Sequence, residues 1–321
     1  MATMKALAAG LLPLLLGACQ LFIDPAAPPF DDRLVLTRLV DDIFGDLRDE
    51  TEMTVLDNGS RHFLLVRGRD RHGQQRTVAF DSRLRVRMNR LHLWDQDSAF
   101  ADLNGDFVVG HSLFSGSDFR LLSDNVYGDP PPEPPEFPAT GIQTAAGTVI
   151  VRVDSNVLQA GPLYAADWSV ISTEIRNIPL NADPAGGFEW RSARHDPGRG
   201  RSGLVLWNSE IKRTFVIEIS AQAAAEMQDG SFPGGAHVTD ELPHLIISTN
   251  EHSPVFYTRR GVVVLHDRRE HRVYHRATGR RIATYEYGNG GDFSFAYSPD
   301  GKWVYSMDHS RRRLYKARTW W

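Results

Sequence analysis

Short apolar runs, flanked by turn-forming residues, recur along most of the chain. Each run is three to five residues long, which is typical of a buried β-strand and too short for a core helix. The pattern therefore predicts an all-β protein. The six clearest runs are residues 62–66, 107–109, 148–151, 204–207, 262–265 and 303–305.

The spacing of these runs is close to regular. Between equivalent positions from Leu64 to Val304, three of the five intervals are 42 or 43 residues, and the others are 56 and 57. A period of about 40 to 45 residues with four short strands per unit is the signature of a β-propeller blade. The longer intervals contain two apparent insertions, residues 181–201 and 222–242, which we expect to form loops on one face. The pattern predicts a β-propeller of about six four-stranded blades; a seventh blade hidden in a long interval, or two packed β-sandwiches, is the alternative.

The C-terminal repeat unit has the clearest turn signals. Residues 293–297 alternate as a strand, Ser298-Pro299-Asp300-Gly301 favours a tight turn, and residues 302–307 return. This unit has three strands before the sequence ends at Trp321. We therefore expect residues 33–40 to supply a fourth strand, which would close the ring and cover a sheet edge.

The same unit carries a family resemblance. From residue 253 to residue 321 the chain resembles WD-repeat-like bacterial propellers, in which a phrase such as Tyr297-Ser298-Pro299-Asp300-Gly301-Lys302 joins the first two strands of a blade. The earlier units lack the phrase, and their blades are predicted from spacing alone. Residues 102–106 resemble the integrin-type propeller repeat with a shortened calcium loop, so no metal or other cofactor is predicted.

The first 19 residues follow the pattern of an exported protein. Lys5 precedes an apolar stretch, residues 6–16, and small residues follow it, as in a secretory signal. Eleven residues are too few to span a bilayer, which takes about 20. Leu16-Gly17-Ala18-Cys19 resembles the bacterial lipobox. The resemblance implies cleavage before Cys19 and acylation of its sulfur, by a fatty acid such as palmitate, and of the new amino terminus.

A lipidated Cys19 predicts both location and partner. Several acyl chains anchor a protein stably, so the implied partner is membrane lipid. Gln20, rather than aspartate, after the cysteine implies transfer to the outer membrane, facing the periplasm. The alternative is a soluble periplasmic protein with an incidental cysteine, or a start site placed too early. The resemblance divides the chain into a signal peptide (1–18), a lipidated cysteine and tether (19–32) and a β-propeller domain (33–321).

Composition narrows the class of protein. The chain is 41% hydrophobic, which is enough for a core and excludes global disorder. Its one cysteine allows no intrachain disulfide. A formal net charge of −4 gives no general attraction to nucleic acid, and no nucleic-acid partner is predicted.

Three acidic residues are the candidates for catalysis. Asp95, Asp97 and Asp106 lie near the predicted second blade, and paired carboxylates can divide acid and base roles in glycoside chemistry. Acids at strand ends and turns are also common, so the catalytic residues stay unknown.

Other polar motifs predict less chemistry. The 12 histidines form no metal-binding motif, and we expect His271 and His275 to be solvated turn residues. Ser112 follows Gly110-His111 but lacks the second glycine of a nucleophile elbow.

Two further segments are candidate surfaces. Residues 129–138 contain six prolines, which predicts an extended surface loop, either a rigid insertion between blades or a polyproline arm for a partner. A basic tail, residues 311–318, alternates with apolar residues toward its end and lies in the sequence beside the aromatic residues Trp303, Tyr315, Trp320 and Trp321. This segment, which includes Lys316, fits either the outer face of an edge strand or a patch for lipid phosphate or cell-wall polymer.

These observations support two hypotheses about function. The first is a binding or scaffold protein of the bacterial cell envelope, whose loop face or channel holds an envelope protein partner or a small ligand. The second is an envelope hydrolase or lyase acting on a carbohydrate or a small ester, which requires Asp95, Asp97 or Asp106 to converge in the channel. Outer-membrane assembly is a third, which no residue singles out. Enzymatic and non-enzymatic functions both stay open at this point.

Overall fold

The structure of the protein, a computed structural model, describes 14 stretches of chain that contain 26 strands and one helix. The described stretches are residues 33–45, 51–91, 99–126, 139–154, 156–181, 188–196, 201–208, 213–237, 240–246, 255–257, 262–266, 270–275, 278–286 and 293–319.

Within these stretches the strands form six sheets, numbered here 1 to 6 along the chain, and β1 (Leu34–Leu39) belongs to sheet 6. Sheet 1 contains β2 (Glu52–Asp57), β3 (His62–Arg69), β4 (Gln75–Phe80) and β5 (Val86–Leu91). Sheet 2 contains β6 (Ala99–Ala101), β7 (Phe107–Val109), β8 (Ser112–Phe114) and β9 (Leu121–Ser123). Sheet 3 contains β10 (Ala139–Gln143), β11 (Thr148–Asp154), β12 (Val157–Tyr164), β13 (Val170–Ser172) and β14 (Arg176–Asn181).

The second half of the chain forms the remaining sheets. Sheet 4 contains β15 (Phe188–Asp196), β16 (Arg201–Asn208), β17 (Arg213–Ser220) and β19 (Asp240–Ile246). Between β17 and β19 lie the helix α1 (Ala221–Asp229) and the short strand β18 (Ala236–His237), which pairs with β14 of sheet 3. Sheet 5 contains β20 (Val255–Tyr257), β21 (Val262–His266), β22 (Glu270–His275) and β23 (Arg281–Glu286). Sheet 6 contains β24 (Phe293–Tyr297), β25 (Trp303–Asp308), β26 (Arg313–Arg318) and β1.

The apolar run of β3 is buried on both faces. In β3, four successive residues from Phe63 to Val66 are at most 3% exposed. Leu64 and Val66 pack toward sheet 6 with Tyr305, whereas Phe63 and Leu65 pack toward sheet 2. Successive side chains of a strand point to opposite faces. A strand between two neighbouring sheets therefore needs an unbroken apolar run.

The sheets are arranged radially. First strands of neighbouring sheets lie side by side, β24 with β2, β2 with β6, β6 with β10, β10 with β15 and β15 with β20. An apolar cluster that includes Val264, Val273 and Tyr297 joins sheets 5 and 6. The prediction of an all-β fold built from four-stranded antiparallel sheets is confirmed, although β13 and β18 enlarge sheet 3.

The N-terminal strand pairs with the last sheet. β1 runs antiparallel to β26, with Leu36 opposite Lys316 and Leu39 opposite Arg313. Val40 N then donates to Arg312 O (2.9 Å). Sheet 6 thus takes strands from both ends of the described chain, in the order β1, β26, β25, β24. β1 lies within residues 33–40, where the sequence predicts a fourth strand.

The two predicted insertions are not loops throughout, so that expectation is wrong. Within residues 181–201 the chain forms β15, because the Gly- and Pro-rich residues that suggested one insertion flank a strand. Within residues 222–242 it forms α1, β18 and the start of β19. Ser220 Oγ caps α1 by accepting from Ala223 N (3.0 Å), and the helix packs in the cluster between sheets 3 and 4.

No helix within the described stretches combines the length and apolarity needed to cross a membrane.

Several predicted features lie outside the described residues. They are the signal peptide (1–18), Cys19 and the tether (19–32), Asp95, Asp97 and the proline-rich residues 129–138.

Candidate functional site

Three aspartates form turns of the same design. Asp70, Asp81 and Asp102 each accept at Oδ1 from the backbone N–H groups two and four residues later. These bonds fix the turn and satisfy backbone donors that no strand pairs. The residue three positions after each aspartate has a positive φ: Gly73, Leu84 and Gly105.

The second carboxylate oxygen has different partners in Asp81 and Asp102, and the pKa values of the two side chains shift in opposite directions. Asp81 Oδ2 accepts from Arg85 Nε (2.9 Å) and Arg87 (2.8 Å). Burial opposes ionisation, but the hydrogen bonds outweigh burial and hold the pKa of Asp81 below its usual value. Asp102 Oδ2 accepts instead from Trp168 Nε1 (3.2 Å). There burial dominates and raises the pKa of Asp102.

Asp106 is the one candidate catalytic acid within the described residues. Its Oδ1 accepts from Gly116 N (2.7 Å), and its own N–H donates to Asp102 (2.8 Å). The carboxylate thus joins the turn at residues 102–106 to the turn at residues 115–120. These contacts give Asp106 a structural role in sheet 2.

The other candidates also have local partners. His271 is buried, with Nδ1 2.5 Å from Tyr297 Oη, so the expectation of a solvated turn residue is wrong for it. His275 is exposed, as expected, but it is the last residue of β22 and not a turn residue. Ser112 lies in β8, and its hydroxyl donates to Asp124 O (3.3 Å). Within the described stretches no group of His, Cys, Asp and Glu side chains could hold a metal ion.

A buried lysine links sheet 6 to sheet 1. Lys316 is 7% exposed, its Nζ donates to Ser82 O (2.7 Å), and Nζ lies 4.2 Å from the centre of the Trp303 ring. Burial lowers the pKa of Lys316, and the negative charges of Asp300 and Asp81 oppose that shift. The interpretation of this segment as an edge strand is wrong, because β26 lies between β25 and β1.

A tyrosine and a histidine continue this contact. Tyr305 is fully buried, and its Oη lies 2.8 Å from His62 Nε2. Burial raises the pKa of Tyr305, and nearby negative charges add to the effect, so the phenol stays neutral. These side chains join the two sheets beside the N-terminal strand β1, which pairs with β26. We call this group the seam cluster: Lys316, Trp303, Tyr305, His62 and Asp81.

Turns at one end of sheets 6, 1, 2 and 3 form a continuous surface, which we call the turn face. Asn58 Nδ2 donates to Gly105 O (2.6 Å), which links sheets 1 and 2. Asn104 Nδ2 donates to Ala166 O (3.1 Å), which links sheets 2 and 3. Lys316 reaches the same face at Ser82. The turn face consists of residues 58–61, 81–85, 102–106, 115–120, 165–169 and 298–302.

Large apolar side chains are exposed where the turn face meets sheet 3. Exposed apolar clusters on a folded protein commonly mark an interaction site. Sequence patterning missed this one, because adjacent Val and Ile also fit a buried strand. We call the group in β13 and the residues that follow it the apolar patch: Val170 (49% exposed), Ile171 (52%) and Ile175 (44%).

The neighbouring four-stranded antiparallel sheets define an all-β protein with propeller-like architecture. No protein-family model matches the sequence, and no curated protein matches it. Hydrazine synthase of Kuenenia stuttgartiensis is similar in structure, with 12% identity and a TM-score of 0.45 over 86% of this chain and 97% of that chain. The β-propeller domain of Cps50 (Swd1) of Myceliophteria thermophila has 11% identity and a TM-score of 0.47 over 89% of this chain and 100% of that chain.

Proposed function

We propose that the protein is a lipid-anchored binding or scaffold protein of the bacterial cell envelope, built as a six-bladed propeller closed by its N-terminal strand. Cys19 carries the lipid, residues 20–32 form the tether, and Gln20 directs the protein to the outer membrane, facing the periplasm. The propeller then presents one loop face or its channel to an envelope protein or a small ligand.

The observation that carries this proposal is the pairing of β1 with β26. A tether that precedes β1 transmits any pull from the membrane to this strand first. β1 is held by its ladder to β26, and Arg38 adds a bond from its guanidinium to Leu84 O (3.2 Å). The seam cluster holds the neighbouring sheets together. An anchor attached at this seam loads the sheet to which both ends of the described chain contribute strands.

The radial contacts support six blades in one closed ring. Sheets follow one another in chain order, and the first strand of sheet 6 lies beside the first strand of sheet 1. A closed ring removes the free sheet edges on which unrelated chains could pair. It also gives a rigid support whose connecting loops can vary, as binding surfaces require.

Metabolic labelling with an alkyne analogue of palmitate tests the anchor. We expect label on the wild-type chain, sedimentation of the protein with outer membranes, and loss of both in Cys19→Ala. Label that persists in Cys19→Ala, or a wild-type protein that stays in the soluble periplasmic fraction, would contradict the proposal.

Crosslinking in intact cells tests the binding function. We expect one protein, or a small defined set, to be crosslinked to the wild-type chain reproducibly, and to a lesser extent to Cys19→Ala, which is no longer held at the membrane. Recovery of only abundant envelope proteins, in equal amounts from both chains, would count against a scaffold.

A further inference from the structure

Two asparagine–glycine pairs lie in turns of neighbouring sheets. Asn58-Gly59 lies between β2 and β3 of sheet 1, and Asn104-Gly105 lies between β6 and β7 of sheet 2. In both pairs the glycine has a positive φ, 88° for Gly59 and 78° for Gly105. A third such pair, residues 289–290, lies outside the described residues. By sequence and glycine conformation the two described pairs are therefore alike.

An Asn-Gly pair can modify itself without a cofactor. The backbone nitrogen of the glycine attacks Cγ of the asparagine, and the side-chain amide nitrogen leaves as ammonia with the proton of the glycine N–H. Water then opens the resulting succinimide ring and leaves aspartate or isoaspartate. Glycine favours this attack because it has no Cβ in the way. The reaction requires a side-chain amide that is free to rotate toward the glycine nitrogen.

Asn58 cannot rotate in the folded protein without breaking four hydrogen bonds. Its Oδ1 accepts from Ser60 N (3.1 Å) and Arg61 N (2.9 Å). Its Nδ2 donates to Gly105 O (2.6 Å) and Gly116 O (3.3 Å). The amide also packs so closely that a Cβ at residue 116 would lie 2.6 Å from Nδ2. The contacts that join sheets 1 and 2 therefore restrain the amide that would have to react.

Asn104 is restrained far less. Its side chain is exposed, and within the described part of the chain its amide makes one hydrogen bond, from Nδ2 to Ala166 O (3.1 Å). The glycine N–H of each pair donates one hydrogen bond of 3.1 Å, so the two attacking nitrogens are held alike. The two pairs differ in the amide that is attacked.

We propose that Asn104 is a deamidation site of the protein and that its contacts between sheets 1 and 2 protect Asn58. Each hydrogen bond that must break first slows a reaction roughly fivefold. Asn58 has three more such bonds than Asn104, which predicts a difference of about 100-fold in rate. The inference goes beyond the proposed function and depends on neither the lipid anchor nor a binding partner.

Deamidation of Asn104 removes a contact between sheets 2 and 3. The new carboxylate cannot donate to Ala166 O, because both groups are acceptors. The turn at residues 165–169 then keeps the bond from Trp168 Nε1 to Asp102 Oδ2. The apolar patch begins directly after this turn. The reaction therefore loosens the support of the patch, and it is not reversed once ammonia is lost.

Mass spectrometry on the full chain measures both sites in one sample. Trypsin places Asn58 and Asn104 in different peptides, residues 49–61 and 91–120. The folded protein is incubated at neutral pH, and the mass gain of each peptide is followed with time. A parallel sample in urea gives the rate of each pair in the unfolded chain, where neither amide is restrained. Asn104→Ser is the control that assigns the signal of the second peptide.

We expect the two pairs to react at similar rates in urea. In the folded protein, Asn104 should react at least about 30-fold faster than Asn58. Equal rates in the folded protein would overturn the protection of Asn58. A folded rate of Asn104 below about one hundredth of its rate in urea would overturn the site itself, because its hydrogen bonds do not account for so large a suppression.

Asn104→Asp reproduces the product and tests its effect on sheet 3. We expect the amides of Ala165 and Trp168, which are bonded within the turn, to exchange with deuterium at least about threefold faster. Leu103→Asp is the matched control, because Leu103 is 39% exposed and the substitution adds a carboxylate to the same turn while keeping Asn104. Exchange as slow as in the wild type would overturn the loosening. Equal acceleration in Leu103→Asp would overturn it as well, since charge and not the lost bond would be the cause.

Discussion

At the scale of single residues, Asp81 and Asp102 show how one turn geometry produces two electrostatic outcomes. Each accepts hydrogen bonds from the backbone N–H groups two and four residues later in the chain. The pKa of Asp81 is nevertheless lowered and the pKa of Asp102 raised. The second oxygen faces Arg87 in one turn and Trp168 in the other. Backbone shape here follows from local sequence, whereas charge state depends on neighbours from elsewhere in the chain.

We expect Asp81→Asn and Asp102→Asn to depend on pH in opposite directions. Asp81 has a folded pKa below its usual value, so its contribution is complete above about pH 5 and lost as pH falls through the folded pKa. Asp102 has a folded pKa above its usual value, so its charged form destabilises the fold at neutral pH, and acid relieves this penalty. In urea unfolding between pH 7 and pH 3, the stability advantage of wild type over Asp81→Asn should shrink. Its advantage over Asp102→Asn should grow. Parallel pH curves for the two variants would contradict the assignment.

Lys316 tests whether the seam cluster stabilises the fold. Lys316→Met leaves Ser82 O without its charged donor, and we expect a loss of about 1–3 kcal/mol in the free energy of unfolding. Lys302→Met is the matched control, because the Lys302 side chain is 61% exposed and 3.5 Å from Asp300; its effect should stay below about 0.5 kcal/mol. Urea unfolding at neutral pH measures both. A stabilised Lys316→Met would mean that desolvating the ammonium outweighs its contacts.

At the scale of elements, the local sequence pattern predicted the strands better than it predicted the helix α1 or the burial of polar side chains. The unbroken apolar run at β3 predicted a strand, because burial on both faces leaves no polar position. The helix α1 was missed, although its alanines favour a helix and Ser220 and Gly230 stand at its ends. The repeat spacing indicated only that residues 222–242 make their repeat unit longer than the others. The burial of Lys316 was not predictable from local pattern, since its partners Ser82 and Trp303 come from different sheets.

Substitutions at two adjacent positions of β1 can show whether packing or strand propensity holds β1 against β26. Leu36 packs on the cluster between sheets 6 and 1, whereas Val35 is 48% exposed. We expect Leu36→Asp to detach β1, because it removes the apolar contact with that cluster and desolvates a carboxylate whose cross-strand neighbour, Lys316, already donates to Ser82 O. Amides of β26 should then exchange with deuterium at least about tenfold faster. Val35→Asp should leave the exchange of β26 nearly unchanged. Equal acceleration in both variants would show that strand propensity, not packing, holds β1.

At the scale of the whole molecule, the radial order of the sheets follows from repetition, since each repeat buries its faces only against its neighbours. The surface formed by the turns at one end of the sheets could not be predicted in the same way. The turn face depends on bonds such as Asn58 to Gly105 and Asn104 to Ala166, which join different sheets. The apolar patch depends on β13 lying at the outside of sheet 3, where Val170 and Ile171 meet solvent.

The pairing of β1 with β26 also makes a prediction about how the sheets unfold. Leu39 and Arg313 lie opposite each other in β1 and β26, and both are exposed. In a Cys19→Ala background, Leu39→Cys with Arg313→Cys should form a disulfide that closes nearly the whole chain into one loop. Such a crosslink restricts the unfolded chain and raises stability by about 4–5 kcal/mol. The same variant under reducing conditions is the control, and thermal unfolding compares the two. A single transition that moves upward on oxidation means that seam and ring unfold together, whereas an unchanged midpoint would mean that β1 separates before the sheets do.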